Sequence, residues 1–239
     1  MLTNVYDGAT AKIVSEHPDT RAIATASFAV AGAIGVADND LTLEDNLAGI
    51  RIVSAIVGKT DLPLTADLQD GYDDVAYTIK RAIDADVVGA NIEDVDNKAG
   101  KWRDLDDAVS RIKTALRAAS EAGVPDFCVN ARTDALLYGG TISDAIARGT
   151  AYLEAGATTV YIWGGPSGRG VSRDELRQLV EGLNGMINVK MNLRPGFLNA
   201  KEIAELGIAR ISIGPELYVK AMAAFRSALD TAAGGQSFS

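Results

Sequence analysis

The chain of 239 residues has one cysteine and one histidine. A single cysteine excludes an internal disulfide and suits a reducing, cytoplasmic compartment. The same scarcity disfavours zinc or copper, which are held by thiolate and imidazole. Cys128, inside an apolar run, and His17, in SEHPD, both read as structural. Cations are also in the minority: 23 Lys and Arg face 32 Asp and Glu, for a net charge of -9. That balance excludes a protein that grips nucleic-acid phosphates regardless of sequence. Any anion must therefore meet a local cluster of positive groups or a metal. No apolar run reaches the length of a membrane span, and the opening MLTNVYDGATAK lacks the basic flank and apolar core of a secretory leader. Neither a membrane nor a nucleic-acid partner is expected.

What the chain does have is apolar residues, 47% of the total, arranged in a rhythm. Short β-branched runs without strict alternation read as parallel strands covered on both faces. They fall at Thr3–Tyr6, Ala22–Ala26, Leu64–Ala66, Val87–Ile92, Phe127–Asn130, Thr159–Ile162, Ile187–Lys190 and Arg210–Ile213. Helical patterns lie between them, such as Asp104–Ala122, where Leu105, Val109, Ile112 and Leu116 recur at helical spacing. The glycines of EAG (residues 121–123 and 154–156) and ELG (205–207) close helices before the next strand. The pattern predicts a (β/α)8 TIM barrel, with an open doubly wound sheet as the rival. A dinucleotide fold lacks its glycine fingerprint, since YDGATA follows the first strand. No linker interrupts the chain, so residues 1–239 are expected to form one domain with a C-terminal helix. Residues 233–239 are expected to be a flexible tail.

In such a barrel the active site collects at the carboxyl ends of the strands. Those ends carry Asp7, Ser27, Asp67 and Gln69, Glu93 and Asp94, Arg132 to Asp134, then Asn188, Lys190, Asn192 and Arg194. An aspartate after a strand is often a cap, which is the reading for Asp70, Asp73 and Asp74. For Asp67 a cap and a site residue both remain open. Asp67 and Glu93 end adjacent strands, and two such carboxylates repel unless a cation lies between them. Mg²⁺ fits that position, because it takes oxygen ligands, keeps waters and needs only one or two carboxylates. Arg132, in NARTDAL, either pairs with a neighbouring acid or clamps a substrate carboxylate or phosphonate through its fork.

The blocks NVYDGATAKI, ASFAVAGAIGVAD, LTADLQDGYDD, GANIED, VNARTDALL, YLEAGATTVYI and ELGIARISIG occur in order from Asn4 to Gly214. Together they resemble the isocitrate lyase/phosphoenolpyruvate mutase superfamily. Its members make or break C–C or P–C bonds in small 2-oxo or 2-hydroxy acids through a pyruvate-type enolate held by Mg²⁺. The resemblance implies that Asp67 is the direct Mg²⁺ ligand and that Glu93 holds the ion through water. It likewise implies Asp38 as a site aspartate, an oxyanion-binding turn at Ala26, Ser27 and Phe28, and Arg132 as the substrate grip. Asn188 is placed with the substrate-binding residues.

Two departures qualify the resemblance. Gln69 stands where a second Asp or Glu is common. As an amide it can still accept from a metal-bound water, but weaker Mg²⁺ binding is implied, and Gln69→Glu is expected to tighten it. The loop DVDNKAGKWRDL lacks the Cys and His of isocitrate-lyase-type members, which argues against a simple (methyl)isocitrate lyase. Mutase-like and hydrolase-like members use Lys with Asn, Thr or Ser there, so Lys98 is assigned a catalytic role, with Asn97 and Lys101 beside it. The readings left open are a phosphoenolpyruvate mutase- or phosphonopyruvate hydrolase-like enzyme, a C–C lyase or hydrolase of a 2-oxo or 2-hydroxy diacid, and a barrel that binds a small acid without turnover. Leu217, Met222, Phe225 and Leu229 give the last helix an apolar stripe, and a homo-oligomer, dimer or tetramer, is expected.

Overall fold

A computed structural model describes residues 1–165 and 169–234. The chain begins β1 (Thr3–Val5), α1 (Gly8–Ser15), β2 (Ile23–Thr25), α2 (Ser27–Ile34), a 3₁₀ turn at Asp38–Asp40 and α3 (Leu43–Val57). Next come β3 (Leu64–Asp67), α4 (Val75–Ile83) and β4 (Val87–Glu93), then a small hairpin of β5 (Val95–Asp96) and β6 (Lys101–Trp102). The second half runs α5 (Leu105–Glu121), β7 (Cys128–Thr133), α6 (Ile142–Glu154), β8 (Thr159–Ile162) and α7 (Arg173–Gly182). It ends with β9 (Ile187–Lys190), α8 (Ala200–Ala204), β10 (Arg210–Ser212) and α9 (Glu216–Ala232). Of the tail expected over residues 233–239, residues 235–239 lie outside the described residues.

Eight strands pair in parallel in the order β1-β2-β3-β4-β7-β8-β9-β10. The two edges then meet: Leu2 bridges Ser212, and its N–H donates to the Ile211 carbonyl at 2.7 Å. Edge contact makes this a barrel and removes the open-sheet alternative. The apolar core lies between barrel and helices, where Val5, Ile23, Leu64, Val129, Val160 and Ile187 meet helix residues such as Leu47, Ile79, Ile112 and Leu179.

The alternate strand residues, which face the barrel axis, are polar. Asn130 Nδ2 donates to Asn91 Oδ1 at 2.6 Å, and Thr159 Oγ1 to Asn130 Oδ1 at 2.6 Å. Asn188 Nδ2 donates to Ser212 Oγ at 3.1 Å, while Asn4 Oδ1 accepts from the N–H groups of Ile213 and Gly214. Barrel interiors are usually filled by branched aliphatics; here amide and hydroxyl groups bond one another instead, with Thr65 Oγ1 and Asn188 Oδ1 left without a partner among the described residues.

Several acids at the rim are structural. Asp7 caps α1, accepting from Thr10 N at 2.7 Å, and Asp74 caps α4 through Tyr77 N at 3.0 Å. Asp94 follows Glu93, and successive strand side chains face opposite ways. Its carboxylate accordingly turns outward, accepting from Tyr152 Oη (2.6 Å), Arg148 (3.0 Å) and Asp134 N (2.9 Å). Arg148 also donates to the Arg103 carbonyl, and its guanidinium stacks 3.8 Å above the Trp102 ring. This cluster fastens the β5–β6 hairpin, which sequence periodicity had left as a loop, to α6. Removing the charge from a buried pair leaves the partner uncompensated. Asp94→Asn is therefore expected to cost about 3 kcal/mol in urea unfolding, with the loss reported first by Trp102 fluorescence. A loss within error of zero would show that the pair does not anchor the hairpin.

Candidate active site

Asp67 is the last residue of β3, and one oxygen of its carboxylate is fixed from the neighbouring strand end. Oδ2 accepts from Ser27 N at 3.1 Å and Ser27 Oγ at 3.2 Å. Ser27 opens α2, where backbone N–H groups have no intrahelical acceptor. The backbone of Asp67 is held as firmly, its N–H donating to Thr25 Oγ1 and its carbonyl accepting from Asn46 Nδ2. Asp67 Oδ1 has no donor among the described residues.

After Asp67 the chain turns through left-handed conformations at Gln69 (φ 52), Gly71 (φ 86) and Tyr72 (φ 57). Such values are uncommon outside glycine and concentrate where function requires them. The turn aims the Gln69 carbonyl at Glu93 N (2.9 Å) and its side-chain Nε2 at Asp38 O (2.7 Å) and Asp38 Oδ1 (3.1 Å). One strained residue thus joins the ends of β3 and β4 to the 3₁₀ turn.

Glu93 is enclosed: Oε2 lies 2.7 Å from Arg132 Nη1, and Oε1 accepts from Asn97 Nδ2 at 2.6 Å. Arg132 also forks onto Asp134, Nε to Oδ1 at 2.7 Å and Nη2 to Oδ2 at 2.8 Å, and its guanidinium lies 4.2 Å from the Trp163 ring centre. Burial pushes the Glu93 carboxyl up to about 8; Arg132 opposes the shift, while the charges of Asp134 and Asp67 add to it. Burial also raises Asp134 and Asp38, with the charge of Asp67 contributing to each. The desolvation of Arg132 is outweighed by Asp134 and Glu93, which hold it protonated. Four carboxylates thus share one guanidinium.

The structure brings Ser27, Asp38, Asp67, Gln69, Glu93 and Arg132 into this single cluster. Ala26 sits at the N-cap of α2, and the half-exposed Phe28 ring rests edge-on to Tyr218 of α9. Lys98 is drawn away, pairing with Asp73 at 2.6 Å on the exposed surface. Asn188 lies one layer deeper, on Ser212, and Lys190 is held by Glu216 at 2.7 Å and Asn192 at 3.0 Å. Asn46, Trp163 and Tyr161 were not foreseen. The two aromatics share a strand face with Thr159, so a period of two along YIW was the available signal. Beside the cluster a cleft of about 950 Å³ opens between the Asn39–Leu43 segment and the hairpin, reaching Gln69 and Asn97.

No group of three or more His, Cys, Asp or Glu suited to a metal occurs among the described residues. A zinc-type cage is therefore not built here. The donor set is all oxygen, with one open carboxylate oxygen on Asp67 and Glu93 held back by its partners. That set fits Mg²⁺, which needs only one or two carboxylates and keeps its waters.

The family model described as phosphoenolpyruvate phosphomutase matches residues 1–233. The chain belongs to that family. It is 30% identical to 2,3-dimethylmalate lyase of Eubacterium barkeri over 96% of this chain and 82% of the relative. A crystal structure of a 2,3-dimethylmalate lyase, a PEP mutase/isocitrate lyase superfamily member, superposes with a TM-score of 0.84 at 29% identity, covering 97% of this chain and 81% of that one. A Burkholderia cenocepacia J2315 structure, provisionally named a phosphonomutase, gives 0.84 at 34% identity, covering 98% and 92%.

Two tests follow from this geometry. The amide of Gln69 can accept through Oε1, which has no donor among the described residues, while its Nε2 holds Asp38. Gln69→Glu loses that donor at neutral pH and sets a carboxylate beside Asp38, so it should destabilise the Mg²⁺-free protein by about 1–3 kcal/mol. The loss should shrink in acid, where the new carboxyl regains a proton to donate. Tighter Mg²⁺ binding without any stability loss would favour the acceptor role.

The second test concerns Glu93. Its pKa in the folded state lies above the ordinary 4.5. The folded protein then binds the proton more tightly than the unfolded chain, so the contribution is present in acid and fades as pH rises towards about 8. With a chelator present, Glu93→Gln should flatten the decline of Tm across that window. A parallel decline in parent and variant would assign the slope to another group.

Proposed function

We propose that this protein is an Mg²⁺-dependent enzyme that carries a small 2-oxo or phosphono carboxylic acid through a pyruvate-type enolate, in the manner of phosphoenolpyruvate mutase or phosphonopyruvate hydrolase. The observation that carries this reading is the excess of carboxylates, with Asp67 Oδ1 open, around one guanidinium at the ends of β3, β4 and β7. Acids so placed call for a cation, and a dianionic ligand would bring further need of one.

In this reading Asp67 holds the ion directly and Glu93 through water. Mg²⁺ would supply Lewis-acid polarisation of the substrate carbonyl and stabilise charge on its oxygen. Arg132 has two of its N–H groups on Asp134 and an ion pair with Glu93. Those bonds fix the guanidinium, and its remaining N–H groups are directed to the substrate carboxylate. Ser27 orients Asp67, while the Phe28 N–H, in the first turn of α2, is the donor that the turn at Ala26–Phe28 has left for an oxyanion. Asn97, reaching Glu93 from the hairpin, couples that segment to the site.

A second reading, a C–C lyase of a 2-oxo or 2-hydroxy diacid, draws support from a specific observation. With Lys98 on Asp73, the cluster offers one cation, fewer than a phosphonate and a carboxylate together would use. The name of the 30% identical lyase agrees with it. Turnover of phosphonopyruvate against a panel of alkyl-substituted malates separates the two, and turnover of neither would favour a small-acid-binding barrel.

We also propose one domain, a cytoplasmic setting and a homo-oligomer, dimer or tetramer. Val219, Met222, Phe225 and Leu229 leave an apolar face of α9 exposed, which supports the last. No helix among the described residues is long and apolar enough to cross a membrane.

Calorimetry tests the site. Asp67→Ala should abolish measurable Mg²⁺ binding while the circular dichroism spectrum is kept. Arg132→Lys keeps the charge but loses the fork, and with Mg²⁺ saturating it should weaken oxalate by roughly 2 kcal/mol. Unchanged Mg²⁺ binding in the first variant removes the metal assignment, and unchanged oxalate binding in the second leaves Arg132 as scaffold.

A further inference from the structure

We propose that Tyr161 is a further catalytic residue, its hydroxyl donating a hydrogen bond to an oxygen of the bound 2-oxo acid beside Arg132; this rests on the enolate reading above. Tyr161 lies on β8 between Thr159 and Trp163 and shares their face of the strand. Both flanking side chains are placed by their contacts. Thr159 bonds Asn130 within the barrel, and Trp163 lies under the Arg132 guanidinium. Tyr161 is the register partner of Arg132, and its ring centre lies 5.8 Å from that guanidinium. The charges of Asp134, Asp67 and Glu93 all reach its phenol. The side chain therefore stands in the mouth, one layer above the polar barrel interior.

Its hydroxyl is uncommitted. The residue is 8% exposed, yet no described residue hydrogen-bonds to that oxygen. Tyr152, the fully buried tyrosine, donates to Asp94. The Tyr161 oxygen is not one of the fully enclosed polar atoms left without a partner among the described residues, so it reaches the open mouth of the barrel, where a ligand can meet it. Apart from Arg132, the other side-chain donors of the cluster are engaged: Ser27 Oγ by Asp67, Gln69 Nε2 by Asp38, and Asn97 Nδ2 by Glu93. Four carboxylates in the same mouth are acceptors. Burial, with the acids adding to it, raises the phenol above its ordinary pKa, so it stays protonated and able to donate. A neutral donor aimed at developing negative charge is what stabilises an enolate oxygen. The residue thus supplies a donor in a chain whose hairpin loop has neither Cys nor His.

Tyr161→Phe keeps the ring and removes only the hydroxyl. Titration of Mg²⁺-saturated protein with oxalate, followed by calorimetry, should show the affinity of the variant roughly 10- to 100-fold below the parent, as for a lost hydrogen bond to a charged group. Mg²⁺ affinity and Tm should match the parent, which a purely structural tyrosine would not predict. Equal oxalate affinity in parent and variant overturns the role of Tyr161 and leaves the enolate reading standing. A fall in Tm and in Mg²⁺ affinity together with oxalate binding would also overturn it, marking the residue as scaffold. Absence of oxalate binding in the parent overturns both.

Discussion

The buried guanidinium of Arg132 is the contact on which the site depends. It lies 2.7 Å from Glu93, forks onto Asp134, and has the indole of Trp163 beneath it. Without this cation, carboxylates brought together by the ends of β4 and β7 would repel in a medium too dry to screen them. A planar fork suits the task, because it can serve two acids at once and still keep donors for a ligand. One cation does not balance the cluster, however. Burial raises the pKa values of Glu93, Asp134 and Asp38, and the neighbouring acids add to the shift that Arg132 opposes.

The turn from Asp67 to Tyr72 is the second constraint. Its left-handed residues would be unfavourable in isolation, and the surroundings hold them in place. The Gln69 carbonyl accepts from Glu93, its amide holds Asp38, and Asn46 bridges Asp67 and the Tyr72 hydroxyl. Each bond ties a different loop to the same short segment. A carboxylate at position 69 would contribute charge to the ion but could not make the donor bonds that fix the Asp38 turn. This chain therefore exchanges electrostatic attraction for positional order at that point.

Sequence and structure agree best where local physics decides. The strand runs at Thr159–Ile162 and Ile187–Lys190 coincide with β8 and β9, and Asp104–Ala122 contains α5 with its apolar spacing. Asp74 is the cap that its position before a helical pattern announced. The hairpin in DVDNKAGKW was illegible because its strands are only two residues each, and it is held by distant partners, Arg148 and Tyr138, against Trp102. Lys98 reads as a lid cation in one dimension; in three, an exposed aspartate from another loop takes it.

By itself, the sequence determined the alternation of eight strands with helices and the strand ends at which Asp67, Glu93 and Arg132 stand, while contact between the first and last strands decided that the sheet closes. The sequence-borne features follow from short apolar β-branched runs, helix stop signals and the chain direction of parallel strands, all local properties. Tertiary structure decided which acids matter. Glu93 and Asp94 are neighbours of the same charge, yet strand pleating sends one to Arg132 and the other to Arg148. It also decided that Gln69 Nε2 donates to Asp38, and that the Tyr161 hydroxyl, without a partner among the described residues, stands near acids. Such outcomes depend on contacts between residues tens of positions apart, and burial sets their energies, which no short window of sequence contains.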